Sequence, residues 1–208
     1  MASKLNKTTK LAVLKPARLH EVAWPAMMML LLGMVLIWLF EIEFSYLGSL
    51  GFAAYIYGCI LGASIFALFF LSTKLLPKFD AILEINRLMV AIFRNIGWFG
   101  IVLLSLLAGI GEELMFRVVI QGSLIKIVDP IFAILVSSVL FGLMHYLSKL
   151  YIALTFLIGL FFGWVYFLTG SFVLIAVAHA IYDLMAFTVI VKYPQLLDLD
   201  ADNSLVDL

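Results

Sequence analysis

This 208-residue chain carries little charge, since Asp, Glu, Lys and Arg together make up only 12% of it and the formal net charge is 0. Such a balance excludes the basic surface with which proteins bind nucleic acid. The single cysteine, Cys59, excludes an internal disulfide. The sequence also has no internal repeat and no low-complexity segment. We expect no cleavable signal peptide, because no short apolar core near the start ends in a small-residue cleavage site.

Apolar side chains, by contrast, are abundant. Hydrophobic residues make up 65% of the chain, and the mean hydropathy is +1.19. A soluble domain of this size could not bury so much apolar surface. The composition therefore predicts an all-α polytopic transmembrane helical bundle in contact with the lipid bilayer, as an integral protein of the cell membrane.

The apolar residues fall into stretches long enough for spanning helices, which need about 20 mainly apolar residues. Six spans are predicted, at about residues 24–40, 47–71, 98–124, 130–147, 150–168 and 172–191. Between the second and third, residues 75–94 mix charged and apolar side chains at helical spacing. This pattern predicts an amphipathic interfacial helix, although a linker helix packed on the bundle would have the same pattern.

The positive charges predict an orientation. With six spans, the Lys and Arg residues outside the spans fall on one side of the membrane, with the exception of Lys126. Because cytoplasmic loops carry an excess of Lys and Arg, we expect both termini to be cytoplasmic. The basic segment 1–23 precedes the first span, and residues 192–208 form a short acidic tail.

Six ionisable side chains lie inside the apolar stretches, and they form three motifs. Charged and imidazole groups at membrane depth are costly unless paired or solvated, so they indicate a functional site. The motifs are Glu112-Glu113-Leu-Met-Phe-Arg117, Phe141-Gly-Leu-Met-His145 and His179-Ala-Ile-Tyr-Asp183.

Helical spacing determines which of these side chains share a helix face. Glu113 and Arg117 are four residues apart, as are His179 and Asp183, so each pair shares one helix face. Glu112 is rotated by about 100° from Glu113. Arg117 can therefore neutralise one carboxylate of the acidic pair while the other faces elsewhere.

The three motifs are predicted to lie at similar depths in the membrane. At about 1.5 Å per residue, Glu112, His145, His179 and Asp183 lie roughly 11 to 22 Å below the same ends of their spans, and they can meet in one layer. Phe141 lies one turn before His145, where its ring can pack against the imidazole.

Two chemistries suit a cluster of Glu, two His and Asp. Glu112, His145, His179 and Asp183 can ligate zinc or another divalent metal that acidifies a water molecule. Alternatively, a glutamate and a neutral histidine can activate water directly. Either gives amide hydrolysis of a peptide or protein substrate. Ser137 and Ser138 are interpreted as helical serines that bond back to their own backbone.

Two other functions use the same residues. A proton-coupled transporter could employ them as a relay, although the short chain and the absence of repeats disfavour it. A non-catalytic bacteriocin-immunity or scaffold protein could keep them as a structural network. The sequence does not determine the substrate or the oligomeric state.

The three motifs, in this order and on separate spans, resemble those of the CPBP family, the CAAX proteases and bacteriocin-processing intramembrane enzymes related to the Ras-converting CAAX endopeptidase. The resemblance covers about residues 98–191, which would form the catalytic core, whereas residues 24–97 would hold two spans and the amphipathic helix. It implies an intramembrane endopeptidase that acts in CAAX-type or bacteriocin-related processing.

The resemblance also implies roles for individual residues. Glu112 would be the catalytic base, and His145 would hold and activate the water. His179 and Asp183 would stabilise the oxyanion or ligate a metal, while Glu113 and Arg117 would orient the site. Relatives closest to the CAAX endopeptidase carry Asn where this chain has Asp183. Because an ionised Asp cannot donate a hydrogen bond, this difference disfavours a prenylated substrate and favours metal ligation.

Overall fold

A computed structural model describes residues 15–75 and 80–197. Most of these residues lie in helices joined by short loops, and Tyr146 and Ser148 form an isolated β-bridge. The long helices are α1 (Leu19–Leu39), α2 (Ala53–Leu75), α3 (Asp80–Phe93), α4 (Trp98–Glu113), α5 (Pro130–Met144), α6 (Lys149–Thr169) and α7 (Phe172–Lys192). α4 continues as a π-helix (Leu114–Gln121) and a last α-helical turn (Gly122–Leu124), and short 3-10 helices occupy Gly48–Leu50 and Pro194–Leu197.

The helical membrane bundle is confirmed, with one difference in the spans. Five described helices are long and apolar enough to cross a membrane: Leu19–Leu39, Ala53–Thr73, Trp98–Leu124, Lys149–Thr169 and Phe172–Lys192. The fourth predicted span, 130–147, corresponds to α5, which has only 15 residues. At about 1.5 Å per residue it is roughly 22 Å long, shorter than a hydrocarbon core of about 30 Å.

The segment before the first span is shorter than the predicted 1–23. Helix α1 begins at Leu19 rather than near residue 24, because the Glu21 carboxylate accepts a hydrogen bond from the Arg18 amide at 2.8 Å and fixes the first turn. The basic residues before Lys15 and most of the acidic tail, from residue 198, lie outside the described residues.

The amphipathic segment is a helix, but it begins later than predicted. Leu75 still belongs to α2, and α3 runs only over Asp80–Phe93, with residues 76–79 outside the described part. One face of α3 is buried against the bundle through Ile85, Asn86 and Ala91. Its end packs on α7, where the rings of Phe93 and Phe187 meet edge to face at 5.0 Å. The apolar side of α3 therefore packs on the bundle, as expected for a linker helix.

Small residues let α4 and α7 approach closely. A Cβ atom added to Gly109 would lie 2.7 Å from the Ala176 carbonyl oxygen and 2.7 Å from the Ala180 Cβ. Glycine at this position therefore permits the close approach of the two helices. It matters for function because the acidic pair lies one turn after Gly109, and His179 lies next to Ala180.

We expect Gly109→Ala to destabilise the protein by about 1–3 kcal/mol, because the added methyl group has no space between the two helices. The same change at Gly122, on the helical continuation of α4, is a matched control. A Cβ atom added there would have the Arg117 carbonyl oxygen as its nearest neighbour, at an ordinary contact distance of 3.4 Å. Thermal unfolding in detergent measures both. Equal melting temperatures for the two variants would contradict the tight α4–α7 contact.

Candidate active site

All six ionisable residues of the three motifs meet between α4, α7 and the end of α5. At the centre is Glu113, whose side chain is fully buried. Its Oε1 lies 2.8 Å from His179 Nδ1, and its Oε2 lies 3.0 Å from Arg117 Nε. Because Arg117 keeps this carboxylate ionised and the carboxylate can then only accept, His179 Nδ1 is the donor. The predicted pairing of Arg117 with one member of the acidic pair is therefore confirmed.

Arg117 also reaches α5. Its Nη1 donates to Ser137 Oγ at 3.2 Å, and the Ser137 hydroxyl donates to the Phe116 carbonyl oxygen at 2.7 Å. The interpretation of Ser137 as a serine bonded to its own helix was wrong, because the buried guanidinium and the carbonyl of the π-helix are closer partners. Ser138 does bond back, to the Ile134 carbonyl oxygen at 2.7 Å.

Glu112 points the other way and faces a cavity. Its Oε2 lies 3.6 Å from His145 Nε2 and 4.0 Å from His179 Nε2. The same His179 Nε2 atom also lies 3.6 Å from Asp183 Oδ2. These gaps are longer than a direct hydrogen bond, yet one water molecule about 2.8 Å from each of two such atoms can bridge them.

The histidines are held in a defined orientation. His145 Nδ1 lies 2.8 Å from the Phe141 carbonyl oxygen, which can only accept, so this nitrogen carries a proton. His179 Nδ1 likewise donates to Glu113. In their neutral forms both rings therefore present an unprotonated Nε2 to the cavity, toward Glu112. The predicted packing of Phe141 on His145 is confirmed, with ring centroids 4.7 Å apart.

His145 is not inside a helix, as the predicted span 130–147 implied. α5 ends at Met144, and His145 follows with φ −94° and ψ 41°. Its amide donates to the Gly142 carbonyl oxygen at 3.1 Å, which tightens the last turn and ends the helix. The chain then turns quickly into α6, whose N-cap is Ser148. The short α5 thus leaves His145 on irregular backbone beside the cavity.

The cavity has a volume of about 410 Å³. Glu112, His145, His179 and Asp183 line one part of it, and apolar side chains of α3 and α7 line much of the rest. Five further polar side chains, which sequence reasoning missed, also border it: Asn86, Tyr146, Tyr151, Thr155 and Tyr182. The site is therefore a polar cluster that opens into a mainly apolar cavity of a size suited to a small ligand or a peptide segment.

A second fully buried polar residue that sequence reasoning missed is Gln121. It ends the π-helix and donates from Nε2 to the Gly163 carbonyl oxygen on α6 at 2.8 Å. A side chain at Gly163 would collide with Gln121, so glycine at this position permits the contact between the two helices. The sequence signal that could have identified Gln121 is its spacing, because Glu113, Arg117 and Gln121 follow one another at intervals of four residues and share one helix face.

The donor set has the chemistry of a zinc site, with imidazole nitrogens and carboxylate oxygens. Glu113 and the Phe141 carbonyl also hold the two rings as outer partners of ligating histidines do. The spacing, however, does not fit. Among the residues that the structure describes, no three His, Cys, Asp or Glu side chains are arranged to hold a metal ion. No step of the chemistry is therefore derived through a metal.

We expect Arg117→Met to destabilise the protein by about 3–5 kcal/mol, because it leaves the Glu113 carboxylate buried and unpaired. The double variant Glu113→Gln/Arg117→Met removes both charges and should recover part of this loss. Arg94→Met, at a partly exposed position, is the control for loss of a guanidinium. Thermal unfolding in detergent compares the three variants, and additive losses in the double variant would contradict the pairing.

Comparison with known proteins gives one match. Residues 93–185, slightly less than half of the chain, match the family model described as type II CAAX prenyl endopeptidase Rce1-like. The matched segment runs from the end of α3 to Met185, two residues after Asp183, and contains all three motifs. No curated protein and no solved structure matches the chain significantly.

Proposed function

We propose that this chain is an intramembrane endopeptidase that hydrolyses peptide bonds with a water molecule activated by Glu112 and His145. The match of residues 93–185 to the Rce1-like CAAX protease family supports the protease activity. The choice of residues and of water activation is our proposal. The observation that carries it is the 3.6 Å separation between Glu112 Oε2 and His145 Nε2 at the cavity wall.

The chemistry starts with a water molecule between these two acceptors. Glu112 takes one proton, while the hydroxide oxygen forms a bond to the scissile carbonyl carbon. The carbonyl π-electrons move to its oxygen, giving a tetrahedral intermediate. When the C–N bond breaks, the proton held by Glu112 passes to the leaving nitrogen, so the products are a carboxylic acid and an amine.

His145 holds the water because its Nδ1–H is already used by the Phe141 carbonyl. Its Nε2 is then an acceptor that faces Glu112, and both groups can orient the same water. His179 lies on the other side of Glu112, with Asp183 Oδ2 beyond it at 3.6 Å. A protonated His179 can donate from Nε2 toward these carboxylates or toward the oxyanion, and Asp183 favours that form of the ring.

Glu113 and Arg117 have a different task in this proposal. Both are fully buried, and Glu113 contacts the histidine rather than the cavity. We assign them as positioning residues: Glu113 fixes the tautomer and ring plane of His179, and Arg117 fixes Glu113. Such support is required because a catalytic group misplaced by about 1 Å loses much of its effect.

The cavity suggests the class of substrate. Apolar side chains extend from the polar cluster along α3 and α7, through Ile82, Ile85, Met89, Phe187 and Ile190. We propose that a peptide with an apolar appendage or segment occupies this region while its scissile bond lies against Glu112. A prenylated cysteine, as in the name of the matching family, is one such appendage. Binding would occur near the cytoplasmic leaflet if the orientation predicted from Lys and Arg holds.

We expect Glu112→Gln to lower cleavage by at least about 10³-fold without loss of stability, because the amide cannot accept the proton of water. The assay uses purified protein in detergent with quenched peptides, prenylated and unprenylated. Glu43→Gln, at an exposed position outside the cavity, is the matched control and should cleave like the wild type. A Glu112→Gln variant with undiminished cleavage would contradict the proposal.

The same assay, run with chelator and with added zinc, separates the two chemistries. Water activated by Glu112 and His145 alone predicts cleavage that is unaffected by chelator. Loss of cleavage with chelator and its return with zinc would contradict metal-free activation and assign the water to a metal. The proton-relay alternative predicts a different result, which is transport in vesicles that Glu112→Gln abolishes and no cleavage.

We expect Asp183→Asn to retain cleavage within about tenfold of the wild type. The amide oxygen of Asn can still accept from His179 Nε2 across the same distance, and its NH2 group adds a donor. Rates of peptide cleavage and melting temperatures check this. A loss of 10³-fold or more in a stable variant would instead indicate that the carboxylate charge itself is required, as in metal ligation.

A further inference from the structure

The cluster around Glu112 has many acceptors and few donors. Both imidazoles use their Nδ1–H elsewhere, on the Phe141 carbonyl and on Glu113. Ionised carboxylates only accept, so Glu112 and Asp183 add no donor. Hydrolysis nevertheless creates a negative oxygen that must be stabilised by donors placed before it forms. Toward the cavity, the six motif residues supply at most one donor, the Nε2–H of a protonated His179.

Tyr151 offers a hydroxyl at this position. It lies in the first turn of α6, where its amide is bound to the N-cap side chain of Ser148 at 3.1 Å. The ring centroids of Tyr151 and His145 are 6.1 Å apart, and both side chains line the cavity.

The hydroxyl is available for a ligand. Within the described part of the chain it makes no hydrogen bond, although the Tyr151 side chain is largely enclosed. A buried hydroxyl normally finds a partner, so a free one that borders a cavity indicates contact with water or substrate. Tyr182 of α7 also lines the cavity, so its hydroxyl is the alternative donor.

We propose that Tyr151 is a further catalytic residue of this protein: its hydroxyl donates a hydrogen bond to the oxyanion that forms when water attacks the scissile carbonyl. This assignment rests on the proposed function. The hydroxyl keeps its proton throughout, so the proton balance of the hydrolysis does not change. Tyr151 thereby supplies the donor that Asp183, in place of an asparagine, does not.

The test is Tyr151→Phe, which removes only the hydroxyl and keeps the ring beside His145. We expect kcat to fall by about 10²-fold or more with KM nearly unchanged, because the donor acts only after the oxyanion has formed. Affinity for a phosphinic peptide, whose tetrahedral phosphorus carries an anionic oxygen, should fall in parallel. Affinity for the uncleaved substrate peptide, measured in a Glu112→Gln background, should not change.

Tyr166→Phe is the matched control, because it removes a hydroxyl from the same helix at a position that does not line the cavity. It should keep the kcat of the wild type. An unchanged kcat in Tyr151→Phe, or a larger loss in Tyr182→Phe, would overturn the assignment while an inactive Glu112→Gln still supported the protease. If the wild type cleaved no peptide, the proposed function and this assignment would fall together.

Discussion

A single buried carboxylate, that of Glu113, determines how the helices of the site fit together. With no access to solvent, it is stable as an anion only while partners surround it, and it has two, Arg117 on its own helix and His179 on α7. The Arg117 guanidinium is itself buried, so it requires Ser137 on α5. One charge thus ties α4, α5 and α7 together. The glycine contact between α4 and α7 at Gly109 is what brings the backbones close enough for this arrangement.

Two neighbouring carboxylates acquire different roles because a helix points them in different directions. Glu113 turns into the bundle, where an arginine and a histidine satisfy it. Glu112 turns into the cavity, where it meets two Nε2 atoms at 3.6 and 4.0 Å. The inner carboxylate holds the ring of His179, and that ring helps to shape the surroundings of the outer one. In the proposed function, positioning and chemistry are therefore divided between residues adjacent in sequence.

The parts of this site that could be predicted from the sequence are those governed by local periodicity. Spacing of four residues correctly paired Glu113 with Arg117 and correctly placed Phe141 against His145. Spacing could not reveal Ser137 or Tyr151 as neighbours of the motifs, because those contacts join different helices. It also overestimated the length of α5, since the residues after Met144 are apolar enough to continue a helix but His145 bonds to the turn before it.

The short α5 also explains how water can reach a site inside the membrane. A helix of about 22 Å ends before it has crossed a hydrocarbon core of about 30 Å, so irregular backbone around His145 lies at membrane depth. Such backbone is stable there only if it is buried in protein or borders a water-filled cavity. Residues 145–147 border the cavity that also contains Glu112. The turn after α5 thus leaves polar backbone beside the cavity in which the proposed hydrolysis requires water. The same turn leads into α6, where Tyr151 lines the cavity.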